Sequence, residues 1–440
     1  VVRPLALLCA LPAVAPAADW PHWLGPTRDG VWAETGVLES LPPGGPRKLW
    51  GVPVGGGYSG PAVVAGRVYV LDYQKASGEA INSPARAAEL TGQERVVCLD
   101  AKTGKELWVH AYDCPYKVSY PAGPRCTPTV AGGAVFALGA MGNLVALDAD
   151  TGAVKWKADF KTAFGAKTPI WGFSGHPLAL GSQLVCTVGG PDALLVAFDQ
   201  GTGKVVWAAG ATGGDGPGYG PPVPVAVGGR TQIVHWNPKA VVGYDPASGK
   251  SLWRVPLEPA YGMSIAAPQV QGDTLFVGGY TSAALAVKLS SGGPAELWRG
   301  QKKTGLYPVN ATPLVRDGVI YGSDANGHFR AVELATGRRL WGTTAPALGA
   351  EKEENDPSAK DATAFAVTNG DRAFLFNELG ELVVAKLTPH KYEEVSRAKL
   401  VDATGEAFGR KVVWAMPAFA DKCVFVRNDR EVACFSLAKE

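Results

Sequence analysis

A ten-residue phrase recurs along this chain and limits its fold more than any other feature. It reads Leu99-Asp100-Ala101-Lys102-Thr103-Gly104-Lys105-Glu106-Leu107-Trp108 in one copy, and the same Asp, Gly and Trp spacing returns in Leu147 to Trp156, Phe198 to Trp207 and Tyr244 to Trp253, and in Val332 to Trp341 with Glu333 in place of the Asp. A looser copy, Lys288 to Trp298, carries one extra residue. The six tryptophans are 48, 51, 46, 45 and 43 residues apart, the length of a four-stranded propeller blade.

The phrase has a mechanical reading. Asp can accept hydrogen bonds from the following backbone N–H groups and Gly is free to take positive φ, so the segment is a tight turn between a third and a fourth strand. The Trp then lies on the outer strand, where its ring packs between neighbouring blades. Repetition makes these rings core staples rather than ligand contacts.

Upstream of each phrase stands a small residue, often Pro, then two apolar runs separated by a Gly turn. The pattern starts near Gly60, Thr127, Gly175, Pro221, Ala267, Thr312, Thr363 and Met416, giving eight units. The seventh lacks the Trp, and Val395 takes its place in this reading. The eighth stops after its third strand near Ser436, whereas Lys48 to Val54 reads as an outer strand with no blade before it. Pairing the two ends closes the ring and removes exposed sheet edges. The expected fold is therefore an all-β, eight-bladed β-propeller over residues 48–440, preceded by a strap at 19–47.

Composition agrees with this fold and narrows the partners. Gly 56 and Pro 34 coexist with 46% hydrophobic residues, a globular chain dense in turns. The formal charge of +2 comes from 42 basic and 40 acidic residues spread without long blocks, which leaves no electrostatic footprint for nucleic acid. Val1 to Ala18 has one basic residue, an apolar stretch and a small-residue end, the parts of a secretory signal. Leu7-Leu8 stand before Cys9 where a lipid-anchor motif wants small residues, so the expectation is a soluble, monomeric, exported protein of the periplasm or extracellular space. No later apolar run reaches the length of a membrane span. Cys423 and Cys434 lie symmetrically about Asn428-Asp429; a two-residue hairpin there sets them directly opposite and permits a disulfide. The alternative reading is that Cys434, like Cys98, fills a small packed position held by Ala or Gly in other repeats.

The Asp-x-x-Thr-Gly-Lys-x-x-Trp phrase resembles the PQQ-like (pyrroloquinoline-quinone-type) repeat of quinoprotein dehydrogenases and of the propeller lipoprotein of the outer-membrane assembly machine. The segment Trp20 to Gly30, followed by Gly44 to Trp50, looks closer still to exported PQQ-binding-like propeller proteins of planctomycete-type bacteria, a set that implies no established reaction. The quinoprotein alcohol dehydrogenases are longer, and the characteristic ones carry a vicinal disulfide against the cofactor. This sequence has no adjacent cysteines. Their Ca2+ ligands, Asp base and cationic carboxylate binders match no motif here.

Strand order gathers the loops that depart from the repeat on one face: Gln74 to Glu94, Asp113 to Arg125, Asp159 to Ser174, Gly210 to Gly220 and Gly349 to Lys360. Residues just before each innermost strand should rim the central channel there. Among them Arg125 and Lys360 could hold a carboxylate, Asn310 and Asp361 a cation or a proton, and Trp171, Tyr219 or Trp414 a flat ring. The six histidines show no metal-ligand spacing. Two functions follow from this face. One is a non-catalytic module that binds a protein or an extracellular polymer. The other is a quinoprotein-like alcohol or sugar oxidoreductase, with PQQ and Ca2+ over the channel mouth and Asp361 as base.

Overall fold

Every unit of the repeat forms one antiparallel sheet, with strands in sequence order in all but the last. The computed structural model describes residues 19–211, 216–281, 283–354 and 356–439, so the signal-like segment falls outside the described residues. Blades 1 to 7 are each built from four consecutive strands, and blade 8 takes its first three from Ala418–Ala420, Cys423–Arg427 and Glu431–Ser436. Its fourth is Lys48–Pro53, paired antiparallel with Glu431–Ser436 so that Trp50 faces Cys434. The ring closes as the two chain ends imply. Middle strands are apolar throughout, as in Ala134–Leu138, because both faces meet a neighbouring blade. Outer strands such as Glu106–Asp113 alternate between exposed and half-buried residues.

Adjacent blades are joined through the Trp of one and the turn of the next. The Trp50 indole Nε1 donates to Ala101 O at 2.9 Å, Trp108 to Ala149 O at 3.2 Å, Trp156 to Gln200 O at 2.8 Å and Trp207 to Pro246 O at 2.9 Å. Each acceptor follows the Asp of the next blade's phrase. The phrase Gly answers two demands at once. Gly104 has φ 71°, and a Cβ there would sit 2.8 Å from the Trp50 ring. The Asp closes its own turn: Asp100 Oδ1 accepts from Thr103 N at 2.9 Å and Thr103 Oγ1 at 2.7 Å. Trp253 departs from the pattern. Its indole bonds Gln232 Oε1 of its own blade at 2.7 Å.

Three sequence expectations need correction. In blade 7 the residue in the Trp register is Ser396, which pairs with Val384; Val395 is the bulged residue and is exposed. The strap fills the missing ring's role, with Leu41 buried there and its N–H donating to Ser396 Oγ at 2.8 Å. The blade 8 hairpin is centred on Asp429-Arg430, because Asn428 Oδ1 caps Arg430 N and Glu431 N at 2.8 and 2.9 Å. Cys423 therefore faces Ser436, not Cys434, and both thiols are free. Finally, Gln74 to Glu94 is no irregular loop through its length. Arg67–Ser77 and Ala88–Asp100 extend as a long hairpin, joined by Tyr116–Val118.

The strap crosses the ring's axis. Trp20 bridges Val63 on the innermost strand of blade 1, Pro21 O accepts from Val130 N of blade 2, and Arg28 Nη2 donates to Pro177 O before blade 3. The chain then reaches blade 7, where Trp32 N donates to Thr368 O at 2.8 Å, and blade 8, where Val37 bridges Ala438. Trp20, Leu24 and Trp32 are almost fully buried by this path.

Candidate functional site

Loops that precede the innermost strands surround a cavity of about 710 Å³ on the axis. Its floor is part of the strap, where the Trp23 ring stacks on His176 with centroids 4.7 Å apart. The seven residues singled out from sequence, Arg125, Trp171, Tyr219, Asn310, Lys360, Asp361 and Trp414, all line it. Sequence reasoning did not single out as ligand contacts several aromatic residues that complete the wall: Trp23, Tyr120, Tyr261, Tyr280 and Phe408. They belong to no repeat, and the only available signal was an aromatic side chain inside an irregular loop.

The walls are rings held in place by backbone acceptors and by one another. Trp414 lies 6.5 Å from Tyr58, 5.8 Å from Tyr120 and 6.2 Å from Phe408, centroid to centroid, and its Nε1 donates to Glu378 Oε2 at 3.3 Å. Trp171 lies 5.3 Å from Tyr219 and bonds Pro84 O of the blade 1 insertion. Such contacts fix the rings while leaving faces open to the cavity.

The charged residues are mostly occupied. Arg125 donates Nε to Trp171 O at 2.8 Å, Nη2 to Ser119 O and Tyr120 O at 2.9 and 2.7 Å, and Nη1 to Gly123 O. Its guanidinium also lies over the Tyr58 ring. It organises the wall, with its donors spent on carbonyls rather than held out to a carboxylate. Arg410 pairs with buried Glu378 at 2.5 Å. Lys360 Nζ rests 5.6 Å from the Phe408 ring centroid.

Asp361 is the least settled group. It is 5% exposed, has φ 56°, and its Oδ1 is buried without a hydrogen-bond partner. Burial pushes its carboxyl up to about 6, against the pull of Lys360 and Arg410. Asn310 Nδ2 reaches only its carbonyl, at 3.4 Å. A carboxyl raised in the folded state binds its proton there while the unfolded chain is already ionised, so folding loses stability as pH rises from about 4 to about 6. Asp361→Asn is accordingly expected to raise stability at pH 7 by about 2 kcal/mol and to confer nothing below pH 4. Urea midpoints at the two pH values check this; an equal gain at both would show that charge is not the cause.

Tyr120, Tyr261, Asp361 and Phe408 share a further property. Each is a non-glycine residue at positive φ, between 49° and 58°, and all four line this cavity. Backbone strain of this kind costs of order 1–3 kcal/mol per residue and gathers at functional sites.

Among the described residues no three His, Cys, Asp or Glu side chains come together in a way that could hold a metal. Of the cations lining the cavity, Arg125 spends its donors on backbone carbonyls and Lys360 rests against the Phe408 ring.

Comparison with known proteins adds to this geometry. A family model described as "Outer membrane protein assembly factor BamB" matches residues 34–163, 92–343 and 238–439. The chain is 30% identical over 224 residues to the protein of that name from Yersinia pestis, covering 49% of this chain and 55% of that one. To its counterpart from Moranella endobia it is 28% identical over 231 residues, covering 49% and 56%. It thus spans about half the length of the curated relatives it matches. Two solved structures superpose with a TM-score of 0.59. One is a quinohemoprotein alcohol dehydrogenase from Comamonas testosteroni, with 13% identity over 96% of this chain and 81% of that one. The other is a europium-containing methanol dehydrogenase, with 14% identity over 93% and 89%. At these identities the likeness is one of fold alone.

Proposed function

The chain belongs to the PQQ-repeat family of the outer membrane protein assembly factor BamB, and from that premise we propose that it is an exported, non-catalytic binding module that holds a partner protein at its axial cavity. The observation that carries this reading is the set of strained residues, Tyr120, Tyr261, Phe408 and Asp361, around a cavity walled by aromatic rings. Rigid aromatic side chains supply large contact area at low entropic cost, and a preformed pocket of this size suits an apolar or aromatic segment of a partner. The relatives' name, an assembly factor, supports a protein partner over a small substrate. No helix among the described residues is long and apolar enough to cross a membrane.

The commitment of the Arg125 guanidinium to backbone carbonyls supports the non-catalytic side of the proposal. Adding PQQ and Ca2+ to the purified protein is expected to give no saturable fluorescence change and no dye-linked alcohol oxidation. Uptake at micromolar cofactor would replace the binding reading with the oxidoreductase one.

The binding reading has its own test. Peptides selected from a displayed random library on the purified protein are expected to be rich in apolar and aromatic residues and to compete with one another. Trp414→Ala is expected to weaken them by about 30-fold, the loss of a central aromatic anchor worth about 2 kcal/mol. Peptides that bind this variant undiminished would place recognition elsewhere on the ring.

A further inference from the structure

In the blade that closes the ring, Cys434 takes the small position that faces the outer-strand Trp, as Ala146 and Ala197 do in other blades, but neither the repeat nor the binding site explains the second cysteine beside it, Cys423. Cys423 pairs across the hairpin with Ser436, and Cys434 with Phe425. Leu437 N donates to Lys422 O and Asn428 N to Glu431 O. The hydrogen-bonded pairs of this hairpin are thus the even-numbered residues of Cys423–Arg427 and its flanks, and both cysteines stand in non-hydrogen-bonded pairs. Side chains are closest at such pairs, and the right-handed twist draws one diagonal of successive pairs together. Cys423 and Cys434 occupy that diagonal on one face, near enough for each thiol to shift the ionisation of the other. Cys434 is fully buried, whereas Cys423 keeps 9% of its surface open at the end of its strand.

We propose that Cys423 and Cys434 form a modification site, a pair of thiols that a small disulfide oxidant converts into a covalent bond between the two central strands of the closing blade. The thiolate of Cys423, the less buried of the two, attacks one sulfur of the oxidant, forming a mixed disulfide and releasing one thiol. Cys434 then gives up its proton and attacks Cys423 Sγ, releasing the second thiol. Two cysteines are oxidised and one external disulfide is reduced to two thiols, so the step balances. Contact with Cys434 also draws the Cys423 thiol below its ordinary value, which favours the thiolate that must attack first. The bond fastens the strand that carries Lys48–Pro53 to its inner neighbour.

The test uses the full chain, folded, equilibrated with oxidised glutathione, then alkylated and digested with trypsin. Cleavage after Lys422, Arg427, Arg430 and Lys439 isolates Cys423–Arg427 and Glu431–Lys439. These two peptides are expected to appear joined in most molecules and to separate with dithiothreitol. The Cys434→Ser variant is expected to keep glutathione on Cys423, since nothing displaces it, and Cys423→Ser to take up none at either position. Unlinked peptides at equilibrium in the wild type, or glutathione persisting on Cys423 there, would overturn the proposal. The wild-type peptide map decides even where a serine variant fails to fold.

Discussion

Replacing Trp50 with alanine is expected to lower the stability of the protein by about 3–5 kcal/mol, the cost of emptying a buried aromatic site. The ring is 8% exposed, lies 6.0 Å from Phe425, covers Gly104 and carries the 2.9 Å bond to Ala101 O. It joins blade 8 to blade 1, the joint where the ring closes on itself. The Lys48–Glu431 ion pair beside it, at 2.9 Å, is solvent-exposed on both sides and contributes little. Amide exchange along Lys48–Pro53 should accelerate in the variant, because that strand pairs only with Glu431–Ser436. Trp253→Ala makes the control: its indole bonds within its own blade and is only half-buried, so its loss should cost measurably less. Equal urea midpoints for Trp50→Ala and wild type would show that closure does not depend on this ring.

Acid is expected to produce the other large effect. Burial holds His22 and His176 down to about 3 and His235 down to about 4, and the Arg28 guanidinium adds to the effect on the first two. The unfolded chain takes up these protons near 6.5, the folded one only at 3 to 4. Their contribution is therefore complete above pH 6.5 and is lost as pH falls toward 4. Three such groups give a slope of about 4 kcal/mol per pH unit at about 1.4 each, and Asp361, which binds its proton in the folded state below about 6, opposes with one. The net loss between pH 6 and pH 4 is about 3 kcal/mol per unit. Urea midpoints across this range measure it, and His235→Asn should flatten the slope by about one proton. A level profile from pH 6.5 to pH 5 would mean that these imidazoles are solvated.

Most of the fold was legible because the repeat encodes it locally. Asp and Gly specify the turn, Trp specifies the joint, and the end strands completed one another by subtraction. What failed did so where a single residue outweighed the pattern. Asn428 caps the N–H groups two and three residues ahead, which moves the hairpin one residue and the facing partner of Cys423 by two. The bulge in blade 7 shifts the Trp register from Val395 to Ser396. The positions around the cavity were readable from strand order, and all seven singled-out residues reach it. Their roles were not, because a sequence does not say which donors a side chain will spend on its own backbone. Arg125 is the clearest instance. The strap's path across the axis was also invisible, since Trp20, Trp23 and Trp32 follow no period that assigns them to a blade.

The pairing of Lys48–Pro53 with Glu431–Ser436 also has a kinetic side. Lys48 and Glu431 are 383 residues apart in the chain, so the final sheet cannot be completed until Glu431–Ser436 has left the ribosome. Contacts of such high order form late and slowly. An unfinished ring presents an unpaired strand of blade 8 as an adhesive edge. Chains cut short before Glu431 should therefore be recognised by proteases and chaperones as incomplete, although seven of their blades are already whole.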